Sequence, residues 1–337
     1  MGLGEDRMAI EWLTGGTVTS VPGFVASGVA CGIKAGGGLD LALVYSEAPC
    51  SAAAVFTRNS FAAAPVLHDR ALIAGNPMSI RAVAVNSGCA NACTGAKGLD
   101  DAREMAALAA GATGCEPREV LVMSTGVIGV RLPMERLRAG LPRAAAALSA
   151  RGGDLAARAI MTTDTRPKAC AVRTTILGRT VTVGGMAKGA GMIHPNMATL
   201  LAMIVTDAVA TAPVLDAILR RAVSRSFNAI SVDGDTSTND TLLLLANGQA
   251  GHQALEDVAA PAAAALADAV TAVAVHLAQA IVRDGEGASR FVTIIVRGAY
   301  DDVDAHRAAE AIARSPLVKT AIYGGDPNWG RVLCAVG

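Results

Sequence analysis

The chain has 337 residues, 52% of them hydrophobic and 17% charged, with 29 basic side chains against 29 acidic ones. That neutral balance, with only 3% aromatic residues, excludes a nucleic-acid platform, which needs a basic face and rings for stacking. The mean hydropathy of +0.41 comes mostly from Ala and Val scattered among Gly and charges; the longest apolar window, 258–282, carries Pro261, Asp268, His276 and Gln279, so no membrane span is expected.

In chain order, the opening MGLGED is neither a basic-then-apolar leader nor a myristoylation signal, so the cytoplasm is the expected compartment. Runs of strand length fall at 41–45, 53–57, 82–86, 120–123, 180–183, 200–205, 230–232, 241–246 and 291–296. Helical periodicity covers 100–112, 133–148, 154–161, 212–226, 259–283 and 304–314, with breaks expected near Pro142 and Pro261. Thr211 ahead of Pro213, and Asp304 ahead of an Ala-rich run, read as helix starts. Strands and helices mix without a strict βαβ rhythm, which predicts layered α/β architecture with mixed sheets rather than a doubly wound parallel fold.

Several familiar chemistries are absent. No Gly-rich phosphate loop sits between a strand and a helix, and there is no GxSxG elbow. Seven scattered cysteines read as reduced thiols; Cys89 and Cys93 form the only close pair, and no histidine lies near them in sequence to complete a zinc site. The segment DGDTSTND, 233–240, starts like a calcium loop but lacks the sixth-position Gly, and Leu244 stands where a bidentate Glu belongs. It reads as a polar connection between strands.

One junction carries chemistry. In KGAGMIHPNMATLLAMIVTDA, 188–208, a Gly-rich segment ends at Ala198 and Thr199 opens an apolar run. A threonine hydroxyl is a poor nucleophile unless a base stands beside it, and its own α-amine can be that base once the preceding peptide bond is cut. An α-amine titrates at about 7.7–8.0, so part of it is neutral near physiological pH. Small Ala198 leaves room for attack on its own carbonyl, although a threonine at a strand start also serves purely structural ends.

GGMAKGAGMIHPNMATLL, STGVIGVRLPME, AIMTTDTRPK, RSFNAISVDGDTSTNDT, IVRDGEGASRF and SPLVKTAIYGGDPNWGR together resemble the ornithine acetyltransferase family of arginine biosynthesis, also called bifunctional glutamate N-acetyltransferase. The likeness runs from near Gly15 to the end. It implies the fold of self-processing L-aminopeptidases, with sheets packed face to face between helix layers. It implies self-cleavage between Ala198 and Thr199, giving an α chain, 1–198, and a β chain, 199–337, assembled as two of each. Thr199 is then the acetyl-carrying nucleophile, and Thr125 and Gly126 stabilise the oxyanion. Thr162, Lys188, Thr199 and Glu286 bind substrate, with Thr163 and Thr165 close enough to Thr162 to compete for its role. The implied reaction moves acetyl from N2-acetylornithine to glutamate, with no metal or bound organic cofactor, and with acetyl-CoA as co-substrate if the enzyme is bifunctional.

His194, five residues before Thr199, has no role in that family and reads as structural. Cys89 stands where the family usually shows Asn. The apolar end VLCAVG, 332–337, reads as a buried strand cut short, because the family's chains run on for several dozen residues and place a substrate Asn and Thr there. Two rivals remain: a self-processing peptidase or amidase on the same scaffold, whose junction typically carries serine, and a catalytically silent binding fragment.

Overall fold

The computed structural model describes residues 10–194 and 200–337. The strands are β1 (Glu11–Trp12), β2 (Phe24–Val29), β3 (Leu41–Phe56), β4 (Ile80–Cys89), β5 (Val120–Val127), β6 (Lys168–Ile176), β7 (Arg179–Lys188), β8 (Leu201–Thr206) and β9 (Thr241–Ala246). The helices are α1 (Ala64–Gly75), α2 (Gly95–Thr113), α3 (Met134–Ala146), α4 (Gly153–Ala159), α5 (Ala212–Ser224), α6 (Pro261–Arg283), α7 (Asp302–Arg314), α8 (Pro316–Gly324) and α9 (Trp329–Val336).

At 16 residues, β3 is long enough to serve two sheets. Its first half pairs with β2 and β4 and its second half with β9, and the register shifts between Tyr45 and Cys50. One sheet therefore runs β1-β6-β7-β8-β9-β3 and the other β2-β3-β4-β5, with β8–β9 and β4–β5 parallel and the remaining pairs antiparallel.

Side-chain alternation shows how the sheets stack. Along β8, Leu201, Met203 and Val205 join Val83, Val85, Leu121 and Met123 in a core between the two sheets. Ala202 and Ile204 point the other way, into a core with Leu215 of α5 and Val270 of α6. On the far side Ala82, Ala84, Val120 and Val122 meet Met105 of α2 and Leu137 of α3. The order is helix, sheet, sheet, helix, the arrangement that the family resemblance implies. Because both faces of the central strands are covered, their apolar runs are unbroken, and each large side chain so buried contributes about 1.5–3 kcal/mol.

α6 is long and apolar enough to cross a membrane by length and composition. Its apolar stripe, Leu266, Val270, Val273, Leu277 and Ile281, is fully buried on the first sheet. The expected break at Pro261 is instead the helix start, with the proline in the first turn where its missing N–H costs nothing. α3 runs unbroken through Pro142, whose ring lies on the exposed face, where the displaced carbonyl can turn to water.

Three expected strands are corrected. Residues 230–232 form no strand; the Val232 amide donates to the Ile193 carbonyl (2.8 Å). Residues 291–296 lie in no ladder, and Phe291, Val292 and Ile295 are exposed. The end of the chain is not a buried strand but α9, in which no residue is buried and whose Asn328 side chain accepts from the Arg331 amide as an N-cap.

Candidate active site

Strands from both sheets end at one rim of the sandwich. In β5, Thr125 and Gly126 lie opposite Ser87 and Gly88 of β4. Gly126 has φ +134°, and a Cβ there would stand 2.3 Å from the Gly88 carbonyl carbon and 2.5 Å from the Cys89 nitrogen. Only glycine fits. β7 ends at Lys188, a buried lysine whose ammonium lies 3.4 Å from the Thr125 hydroxyl and so bridges the two sheets. Thr162 enters from the loop after α4 and Glu286 from the turn after α6. Thr125, Gly126, Thr162, Lys188 and Glu286 line one cleft of about 710 Å³. Every substrate or oxyanion residue named from the sequence, apart from Thr199, is brought together there. Thr163 also faces this cleft, whereas the Thr165 side chain and amide are bound to Asp284.

Ala198 and Thr199 lie outside the described residues, but their neighbours on both sides are held. Upstream, the Met192 and Ile193 amides donate to the Asp233 carboxylate at 2.6 and 3.0 Å. Met192 has φ +59°, a left-handed conformation that costs a side chain about 1–2 kcal/mol and that these bonds offset. Downstream, the Leu200 amide donates to Asp240 Oδ1 (2.8 Å), and the Thr241 amide donates to the Leu200 carbonyl (3.1 Å). Between these anchors, the Asn239 amide group donates to the Ala90 and Ser124 carbonyls at 2.6 and 2.9 Å, tying the segment to β5 beside Thr125. The acidic run 233–240 is therefore a clamp around the junction. Sequence reasoning missed it; the density of Asp and Asn just ahead of β9 was the available signal. Gly191 completes this side, since a Cβ there would sit 2.6 Å from the Glu286 carboxylate.

Electrostatics differ among these groups. Burial pushes the Lys188 ammonium below the usual lysine range, with the Asp164 carboxylate opposing. His194 turns away: its Nε2 lies 3.2 Å from Glu310 of α7, and burial lowers its pKa, as fits a structural residue. The Cys89 thiol donates to the Val130 carbonyl (3.2 Å), and burial raises its pKa, which keeps it protonated and inert beside β5.

A profile described as the ArgJ family matches residues 25–337. The chain belongs to the ArgJ family. Among its ArgJ relatives, "Arginine biosynthesis bifunctional protein ArgJ" of Symbiobacterium thermophilum is 54% identical over 330 residues, 97% of this chain and 81% of the relative. Ornithine acetyltransferase of Mycobacterium tuberculosis, solved in complex with ornithine, matches with TM-score 0.51 and 46% identity over 57% of this chain and 100% of that one. The L-aminopeptidase D-Ala-esterase/amidase of Ochrobactrum anthropi, with TM-score 0.53 over 83% of this chain and 90% of that one, is only 12% identical and shares the fold alone. The family read from the motifs and the layered fold expected with it both hold, and an ArgJ chain is an enzyme.

Proposed function

We propose that this ArgJ chain cuts itself between Ala198 and Thr199 and then carries acetyl on Thr199 from N2-acetylornithine to L-glutamate. The observation that carries this reading is the convergence of Thr125, Gly126, Thr162, Lys188 and Glu286 on one cleft, whose lining includes Gly191, Met192 and Asn239 from around the clamped junction. The freed α-amine takes the Thr199 hydroxyl proton as the oxygen attacks the acetyl carbonyl. The developing alkoxide is met by the Thr125 hydroxyl and the Gly126 N–H, each such donor contributing about 2.7–4 kcal/mol. Collapse breaks the C–N bond; ornithine leaves with the proton, and an acetyl ester remains. Glutamate then repeats the steps in reverse, its amine attacking the ester to give N-acetylglutamate and free Thr199.

Both amino acids present an α-carboxylate to Lys188 and a reacting nitrogen at the same place, so one cleft serves both half-reactions. Glu286 suits the ammonium of either substrate, and Thr162 is a further substrate contact. Acetyl-CoA is the second donor implied by a bifunctional enzyme, delivering acetyl to the same hydroxyl. The cut pieces are an α chain, 1–198, and a β chain, 199–337, assembled as two of each. In support of the cut, the Mycobacterium tuberculosis chain matches end to end with 57% of these 337 residues, about 190, close to the length ahead of Thr199.

Intact mass of the expressed protein should show two chains, and Thr199→Ala should show one. Incubation with N2-acetylornithine alone should add a single acetyl to the peptide beginning at Thr199. Normal cutting in Thr199→Ala, or acetyl transfer with no acetylated peptide, would remove Thr199 from the mechanism.

A further inference from the structure

Lys168 opens β6 and lies beneath the cleft, with its ammonium 2.6 Å from Asp164 Oδ1 and 2.6 Å from Asp284 Oδ2. The three side chains are 1%, 0% and 4% exposed, yet Asp284 is 116 residues away from Lys168 along the chain. Each carboxylate also holds backbone at the site. Asp164 accepts from the Thr162 amide (3.0 Å) and from the amide of Gly189, next to Lys188 (2.7 Å). Asp284 accepts from the Thr165 amide (3.0 Å) and hydroxyl, two residues ahead of Glu286. Thr162, Lys188 and Glu286 are thus each within two residues of a group held by Lys168 or by one of its two carboxylates.

The charges are coupled as well. Burial alone would raise the Asp164 carboxyl, but the Lys188 and Lys168 ammoniums and the Gly189 amide hold it below the usual range. Lys168 and its two carboxylates leave one net negative charge, which Lys188 balances. Arg166 reaches only 3.9 Å from Asp284 and is 57% exposed, so it cannot take Lys168's place.

We propose that Lys168, with Asp164 and Asp284, is the positioning and charge-balancing post of the site. It keeps Thr162, Lys188 and Glu286 in register and offsets one of the two carboxylate charges, so that the Lys188 ammonium faces a single net negative charge and still attracts the α-carboxylate of an incoming amino acid. The inference rests on the acetyl-transfer reading. Without Lys168 the uncompensated carboxylates would draw Lys188 toward themselves and repel the substrate. Without the Asp284 charge the balance shifts the other way.

The test is a pair of variants with opposite expected signs, assayed as KM for N2-acetylornithine and for glutamate on the self-cleaved fraction of each enzyme. Lys168→Met should raise both KM values by about tenfold or more, while isosteric Asp284→Asn should lower them about threefold. A merely structural network would shift both variants the same way, and that result, or unchanged KM in both, overturns the proposal. If Lys168→Met does not fold, the sign of Asp284→Asn alone decides. Absence of transfer by the unaltered enzyme sinks the functional reading and this proposal with it; normal transfer without opposite signs sinks this proposal alone.

Discussion

Asp69 of α1 lies wholly inside the protein, with Oδ1 accepting from the Val122 amide (2.9 Å) and Oδ2 without a hydrogen-bond partner. β5 is the outer strand of its sheet, so this carboxyl seals an amide that would otherwise be an open edge. Burial pushes its pKa well above the usual carboxylate range, with the Val122 bond opposing. In the unfolded chain the group ionises at about 3.9. Between that value and the raised folded pKa, the folded protein binds the extra proton, so the stability it confers is complete below about pH 4 and is lost as pH rises through the folded pKa. Asp69→Asn keeps the acceptor and removes this dependence. In thermal melts of the uncut Thr199→Ala background, the advantage of the Asn variant should widen from pH 4 to pH 8. A gap that stays flat with pH would mean that Asp69 is ionised in the fold.

At the scale of elements, the 233–240 clamp has a measurable role in the proposed self-cleavage. Asp240→Ala leaves the Leu200 amide without its acceptor, and a bond to a charged group contributes about 1.5–3 kcal/mol. Self-cleavage, followed as one band becoming two on a gel, should slow about 10–100-fold in a protein that remains folded. An unchanged rate would show that the clamp does not hold the scissile geometry. This segment also marks where sequence reading ends. β8 was legible because burial on both faces leaves an unbroken apolar run. β6 was not, because after Lys168 its first half holds only small Ala169, Cys170 and Ala171, and exposed Arg173 and Thr175 interrupt its second half. α1 was hidden by Pro65, which reads as a break but sits in the helix's first turn. Residues 291–296 read as a strand on apolar content, but a strand is made by its neighbour, and none pairs with it among the described residues. Within the site, Thr125, Gly126, Thr162, Lys188 and Glu286 were legible through their motifs. Lys168, Asp284 and Asp240 were not, because their meaning lies in contacts that no local spacing encodes.

At the scale of the molecule, the spans on either side of the proposed cut interleave. β8 and β9, both from 199–337, lie between β7 and β3, both from 1–198, and are laddered on each side. The two cut chains should co-purify and separate only in denaturant. After denaturation, uncut Thr199→Ala should refold with a yield independent of protein concentration, whereas recovery of the cut enzyme should fall on dilution, since its chains must meet again. Equal, concentration-independent recovery of both would speak against the cut. That strand order also gives the protein a history. Under the proposed cut, the central strands of the first sheet would take their places while one polymer still leads them in, and maturation would then remove the lead. What would remain is a structure whose working life is set by how slowly it first comes apart, because the route by which it was assembled would no longer exist.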